Sequence, residues 1–554
     1  MHASEKQVPT DRNKLKFKTK PSGFLENPKV TQTMKTFHYG QDSLTSSIAL
    51  GLARKEIQGI LSSKTVQKIQ NSAAAVEKIA QGEAIVYGIN TGFGPLCTTK
   101  ISAADTKTLQ ENLLKSHAVG VGEPVDLEIS KLMLVLKIHA LAQGFSGIRL
   151  ETVERIIWML ENDIVPLVPI QGSVGASGDL APLSHLFLPL IGLGKVFFHG
   201  KVERMDTVLD QFDKRPLHLG PKEGLALING TQFMAAHGVK VVERLHNLLT
   251  HASITGAMMI EGLMGSVKPF SSELHQLRPY SGNKHVAQTI LNLLKDSEIV
   301  ASHLHCARVQ DPYSLRCMPQ VHGASWNAYL HLKETLEIEI NSVTDNPVVF
   351  DETHTISGGH FHGQPIALPL DYATLAASEI GNIADRRIYL SIEGDTPGVP
   401  KLLLKETGLN SGLMIPQYTT AALASENKGL CFPASADSIP TSLGQEDHVS
   451  MGSISARKAL RVIENVEKIL GIELFYAAQA MDYHAPLKSG KIMTAIYERV
   501  RKAIDPVVSD RILYEDMETA IDLVKSGELV SLAKQVADRE GLAFETEWSE
   551  FFNY

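Results

Sequence analysis

The strongest constraint on this chain is a 33-residue run, 452–484, that holds no proline and repeats apolar side chains (Leu460, Ile463, Ile469, Leu470) at helical spacing. At 1.5 Å per residue such a helix is about 50 Å long. A rod of that length can bury its apolar stripe only against other long rods. Residues 132–143, 236–249 and 370–392 carry the same period. Glycines within or beside these patterns (Gly230, Gly238, Gly256, Gly381) cost a helix up to about 1 kcal/mol each relative to alanine, and are best spent letting helices approach closely. Strand signals are short: Val196–Phe198 with Lys201–Val202, and Val348–Phe350 with His354–Ile356, each read as a hairpin. The pattern predicts a mainly α fold, an elongated long-helix bundle with a smaller mixed N-terminal region and few short strands. Soft boundaries fall near 235 and 486. They divide the chain into a flexible polar tail (1–35), an N-terminal domain (36–235), a central bundle (236–485) and a C-terminal helical segment (486–554).

Composition narrows the function. Of 554 residues, 44% are hydrophobic, enough to build a large core and too many for a disordered chain. The net charge of −8 argues against general nucleic-acid binding, which needs a basic footprint. Residues 1–35 alone are basic, with eight Lys and Arg against three Asp and Glu, and have no apolar core of the kind a secretory signal needs. The most apolar stretch, Leu186–Gly194, is far shorter than the ~20 residues of a membrane span and contains Pro189. Cys97, Cys306, Cys317 and Cys431 form no Cys-x-x-Cys pair, so reduced thiols and a cytoplasmic setting are expected.

One loop invites chemistry. In Gly172-Ser173-Val174-Gly175-Ala176-Ser177-Gly178-Asp179, Ser177 lacks the second glycine of a hydrolase nucleophile elbow. The chain has no Walker A loop, no complete dinucleotide fingerprint and no His-Glu-x-x-His. His354, His360 and His362 lack the carboxylate or thiolate that would complete a familiar ligand set, so no metal is expected. The small residues Ala176-Ser177-Gly178 can fold back on themselves at little steric cost. The Gly178 amide nitrogen can then attack the Ala176 carbonyl carbon. Loss of that oxygen and of the Ser177 hydroxyl as two waters leaves an exocyclic methylidene on an imidazolone, an electrophile that no standard side chain supplies. The plainer alternative is a glycine-rich turn ahead of a helix starting near Asp179.

The stretch GSVGASGDLAPLSHL (172–186) resembles the cofactor-forming segment of the aromatic amino acid and histidine ammonia-lyases. Seven further segments match that family in order: YGINTGFGPL (87–96), SHAVGVGEP (116–124), EGLALINGTQ (223–232), VQDPYSLRCMPQV (309–321), SGGHFHGQP (357–365), LASENK (423–428) and GQEDHVSMG (444–452). The resemblance spans roughly residues 36–500. It implies a mostly helical homotetramer whose active sites draw on three subunits. It also implies a 4-methylideneimidazole-5-one group formed autocatalytically from Ala176, Ser177 and Gly178, with no metal and no nucleotide. By the same resemblance Tyr87 is the base for the β-proton and Tyr313 a loop tyrosine that closes the site. Arg316 binds the substrate carboxylate, a role suited to a guanidinium fork. Asn229 and Gln310 are polar contacts of cofactor and substrate, and Phe361 shields the electrophile.

The resemblance also bears on substrate. Ser116-His117 occupies the selectivity position, where histidine lyases carry Ser-His and phenylalanine lyases Phe-Leu. Glu426 matches the histidine enzymes, and a carboxylate can accept an imidazole N–H or stabilise its cation. A phenyl ring would gain nothing from it. The expected reaction is elimination of ammonia from L-histidine to give urocanate. The alternatives are a tyrosine or phenylalanine lyase, forming coumarate or cinnamate, and an aminomutase of the same family.

Overall fold

A computed structural model describes residues 35–83, 85–92, 94, 101, 103–304 and 309–554. The tail up to residue 34, together with Cys97 and Cys306, lies outside the described residues. We label the long helices used below α1 (Leu127–Ala142), α2 (Gln232–Gly262), α3 (Met318–Ile340), α4 (Gln364–Ile392), α5 (Met414–Leu430) and α6 (Gly452–Met481).

The body is a bundle of α2, α3, α4 and α6. From His251 to Gly262 every residue of α2 is buried, so no polar face survives there. Hydrogen bonds fix the helix directions. At one end Met234 N–H of α2 donates to Asp179 Oδ2, Ser455 Oγ of α6 to Asp371 Oδ2 of α4 at 2.9 Å, and Ser453 Oγ of α6 to the Ser173 carbonyl at 2.6 Å. At the other end the His484 ring, just past α6, meets the Gly262 carbonyl that closes α2. Between them Arg387 of α4 pairs with Glu473 of α6, whose other oxygen accepts from Thr255 of α2 at 2.6 Å. Thus α2, α4 and α6 run parallel, and all three start at the 172–179 loop. α3 runs the other way, since Gln232 at the head of α2 donates to Thr344 beyond the C-terminus of α3.

Strands are few, as the pattern predicts. Lys195–Phe198 pairs antiparallel with Lys201–Arg204, and Val348–Val349 with Thr355–Ile356. A parallel pair, Lys35–His38 with Ile57–Ile60, opens the described chain. Among the described residues no helix is long and apolar enough to cross a membrane.

Candidate active site

The 172–179 loop is held on three sides. Ser450 and Met451 donate backbone N–H groups to the Gly175 and Val174 carbonyls, and Ala176 packs with Val449 and Met451. Asp179 N–H donates to the Gly230 carbonyl at 2.7 Å, while its carboxylate accepts from Ser173 Oγ and Met234 N–H. Burial pushes that carboxyl up to about 7, against the pull of those donors. Gly178 sits at φ +73°, and a Cβ there would stand 2.0 Å from the Gly230 carbonyl oxygen. Position 178 therefore requires glycine on two counts, backbone conformation and space.

Two side chains grip Ser177. Its hydroxyl donates to Glu446 Oε1 at 2.8 Å. Its carbonyl oxygen accepts from Asn229 Nδ2 at 2.8 Å, and the Gly230 N–H lies 3.4 Å away. Glu446 is itself oriented, because Oε2 accepts from Thr441 and Ser442 hydroxyls at 2.7 and 2.9 Å. Asn229 Oδ1 is buried and unpartnered, an acceptor left over for a bound donor. His117, at the end of helix Ala103–His117, lies near enough to Glu446 to feel its charge. Its Nδ1 stands 2.9 Å from Ser116 Oγ, and burial holds the ring below its ordinary pKa. The N-termini of α2, α4 and α6 converge on the same loop, and the positive ends of their dipoles favour negative charge there.

These residues fit the cyclised group. Gly178 has a left-handed backbone with no room for a Cβ, the serine hydroxyl that must leave is held by Glu446, and the oxygen of the resulting ring has two donors. Tyr87 is half-buried, its hydroxyl 3.5 Å from Gly94 N–H. The Phe361 segment is tied to the same end of the bundle by His360, whose Nδ1 meets the Val343 carbonyl. Among the described residues no group of three or more His, Cys, Asp or Glu is arranged to hold a metal ion.

Four expected site residues are not brought to the loop within one chain. Arg316 donates to the Asp311 carbonyl at 2.9 Å and lies over the Tyr313 ring at 4.6 Å. Tyr313 is 71% exposed, and Gln310 is exposed beside it. Asp311 in turn accepts from Ser266 N–H at 2.6 Å, just beyond the C-terminus of α2. Asn229 precedes the N-terminus of that helix, whose 31 residues span about 45 Å. Gln310, Tyr313 and Arg316 therefore stand at the far end of the bundle from Ser177 of their own chain. Glu426 is exposed on α5 with Arg461 3.3 Å away, nine residues along α6 from its start. Within one chain the carboxylate on Ser177 is Glu446. Sequence reasoning placed Glu446 in a matching segment, GQEDHVSMG, without assigning it a role. The signal available was its acidity among residues that contact the loop.

The sequence matches the family of aromatic amino acid lyases over residues 44–502. It is 46% identical over 494 residues to the histidine ammonia-lyase of Myxococcus xanthus, covering 89% of this chain and 97% of that protein. The fold is similar to that of histidine ammonia-lyase from Trypanosoma cruzi, with a TM-score of 0.85, 39% identity and coverage of 94% and 97% of the two chains. Tyrosine aminomutase from Streptomyces globisporus also gives a TM-score of 0.85, at 34% identity over 89% of this chain and 98% of that one.

Proposed function

The chain belongs to the aromatic amino acid lyase family, and from that premise we infer that it eliminates ammonia from L-histidine to give urocanate. The observation that carries the reading is the double grip on Ser177, hydroxyl on Glu446 and carbonyl on Asn229, in a loop where only glycine fits at 178. Similarity to histidine ammonia-lyases at 46% and 39% identity supports the substrate.

Ala176, Ser177 and Gly178 would form the 4-methylideneimidazole-5-one, which supplies an electrophilic carbon that makes the substrate nitrogen a better leaving group. The protein's own residues do the rest. Asn229 Nδ2 and Gly230 N–H hold the oxygen where negative charge develops. Tyr87 takes the β-proton, its phenolate favoured by the convergent helix N-termini. Glu446 and His117 form the wall that faces the substrate side chain, where a carboxylate suits an imidazole. Phe361 excludes water from the electrophile.

Arg316, Tyr313 and Gln310 reach the site from another copy of the chain. We propose a homo-oligomer, in keeping with the tetramer that the family resemblance implies. Its contact surface is supported by the exposed apolar side chains Leu368, Tyr372, Leu375 and Tyr389 on α4 and Ile415 and Tyr418 on α5, too large a row to leave in water on a monomer.

A side-by-side turnover panel of histidine, tyrosine and phenylalanine tests the substrate. Histidine is expected to turn over at least 100-fold faster by kcat/KM, a margin open to a site that leaves a buried polar group unpaired with the wrong ligand. Comparable rates on tyrosine would overturn the substrate and leave the family intact. An aminomutase would be recognised by a β-amino acid product instead of urocanate.

A further inference from the structure

Against the Asn229 peptide that holds the loop lies a buried cation that the reaction as described does not use. Lys137 sits in the middle of α1 and is 1% exposed. Its Nζ donates to the Asn229 carbonyl at 2.7 Å and stands 3.4 Å from Gln232 Oε1. Among the described residues no carboxylate lies within ion-pair distance of it. The nearest charges are Asp345 and Asp179, which attract it, and Lys222, which repels it. Asp345 is already engaged, with Lys222 at 2.6 Å and Ser146 at 2.8 Å. An ammonium buried against two neutral oxygens is expensive, and an apolar side chain of equal length would fill the same space.

The peptide it holds explains the expense. The Asn229 carbonyl and the Gly230 N–H belong to one peptide group, and that N–H faces the Ser177 carbonyl oxygen. Lys137 Nζ–H, the 229–230 peptide and the Ser177 oxygen thus form a chain of dipoles pointing one way. Each member polarises the next in a low-dielectric interior. Asn229 Nδ2 meets the same oxygen from the same residue, so fixing the Asn229 backbone also aims its side chain. In the ring that Ala176, Ser177 and Gly178 would form, negative charge would collect on that oxygen as the electrophile accepts a nucleophile, and these donors would stabilise it.

Resting on the function proposed above, we propose that Lys137 is a positioning residue of the electrophile, clamping and polarising the 229–230 peptide so that its donors stabilise charge on the Ser177 oxygen. Gln232 completes the clamp, with Oε1 toward Lys137 and Nε2 donating to Thr344 Oγ1 at 2.8 Å. Burial draws the ammonium down to about 7.

The test compares the parent with Lys137→Met, Lys137→Arg and Gln232→Glu. Met keeps the volume and donates nothing. Glu places an anion beside the ammonium and cancels its field. Each purified full-length protein is weighed intact and then treated with borohydride while its ultraviolet absorbance is followed. Hydride adds at the methylidene carbon, the electron pair goes to the oxygen, and water later supplies a proton. The parent and all three variants are expected two waters lighter than their translated sequences. Lys137→Met should add hydride about tenfold more slowly and lose kcat by a similar factor with KM within about twofold, the split expected when only transition-state stabilisation is removed. Gln232→Glu should shift both rates the same way, and Lys137→Arg should stay within about threefold of the parent. Parental hydride rates in both Lys137→Met and Gln232→Glu would overturn the inference and leave the proposed function standing. A folded Lys137→Met of unmodified mass would also overturn it, assigning Lys137 to ring closure. If Lys137→Met does not fold, Gln232→Glu decides alone. An unmodified parent would remove the reading and the inference together.

Discussion

At the scale of single residues, two glutamates divide the account. Glu446 accepts from Ser177 within the loop's own chain, whereas Glu426 pairs with Arg461 on the bundle surface. Glu446→Gln should lower kcat/KM for histidine by about 100-fold or more, the scale of losing a charged hydrogen-bond partner at a reacting site. Glu426 lies exposed on α5, the helix that carries Ile415 and Tyr418, where another copy can use it, and Glu426→Gln should hurt turnover of histidine far more than that of phenylalanine. Steady-state kinetics of the two variants on histidine and phenylalanine check this, and an equal loss on both substrates in Glu426→Gln would contradict its role as the imidazole partner. The loop is legible in the sequence only through its resemblance to the lyases' cofactor-forming segment, because Ala-Ser-Gly flanked by glycines reads by itself as a glycine-rich turn. The partner of Ser177 is not legible there. The contact joins residues 269 apart, and no local pattern marks which of several acidic residues will cross that distance.

Helices were legible wherever one face stayed polar, and lost where none did. In α2 the period shows over 236–249, but the structure extends it from Gln232 to Gly262. The second half is buried on all sides, so its apolar residues follow no stripe and carry no 3.6-residue signal. α4 was read from 370, yet it starts at Gln364 with Pro365 in its first turn and Pro369 inside. A proline in the first turn sacrifices only an N–H that the helix cannot use, which a breaker rule misreads as a boundary. The burial of α2 has a consequence for acid stability. His237, His246 and His251 on α2 and His285 on the neighbouring helix Ser281–Leu293 are all held down to about 4 by burial. Between pH 6.5 and about 4 the unfolded chain binds protons at these rings that the folded chain refuses. Stability is therefore fully present above pH 6.5 and falls as pH drops through that window, by at most roughly 3 kcal/mol per ring. Thermal unfolding midpoints should decline steeply from pH 6.5 to 4, and His251→Leu should flatten the decline. A parental curve that stays level across the window, or an equally steep variant, would contradict the assignment.

At the scale of the whole molecule, the parallel course of α2, α4 and α6 sets the loop at one end of the bundle and Arg316 at the other. Nothing in a single sequence says which residues meet across copies, because the pairing depends on symmetry that no periodicity records. Mixing inactive copies supplies the missing information. Ser177→Ala and Arg316→Ala proteins, each inactive alone, should regain about a quarter of parental activity when co-expressed in equal amounts, since about one site in four would draw both intact residues from different chains. Activity that stays at the background of the single variants would mean that Ser177 and Arg316 act within one chain. The elimination chemistry presupposes that Ala176, Ser177 and Gly178 close into a ring. The intact mass of the purified protein tests that most directly. A mass two waters below the translated sequence, restored to a single water or none by Ser177→Ala, is the predicted result. A mass equal to the unmodified chain would contradict it.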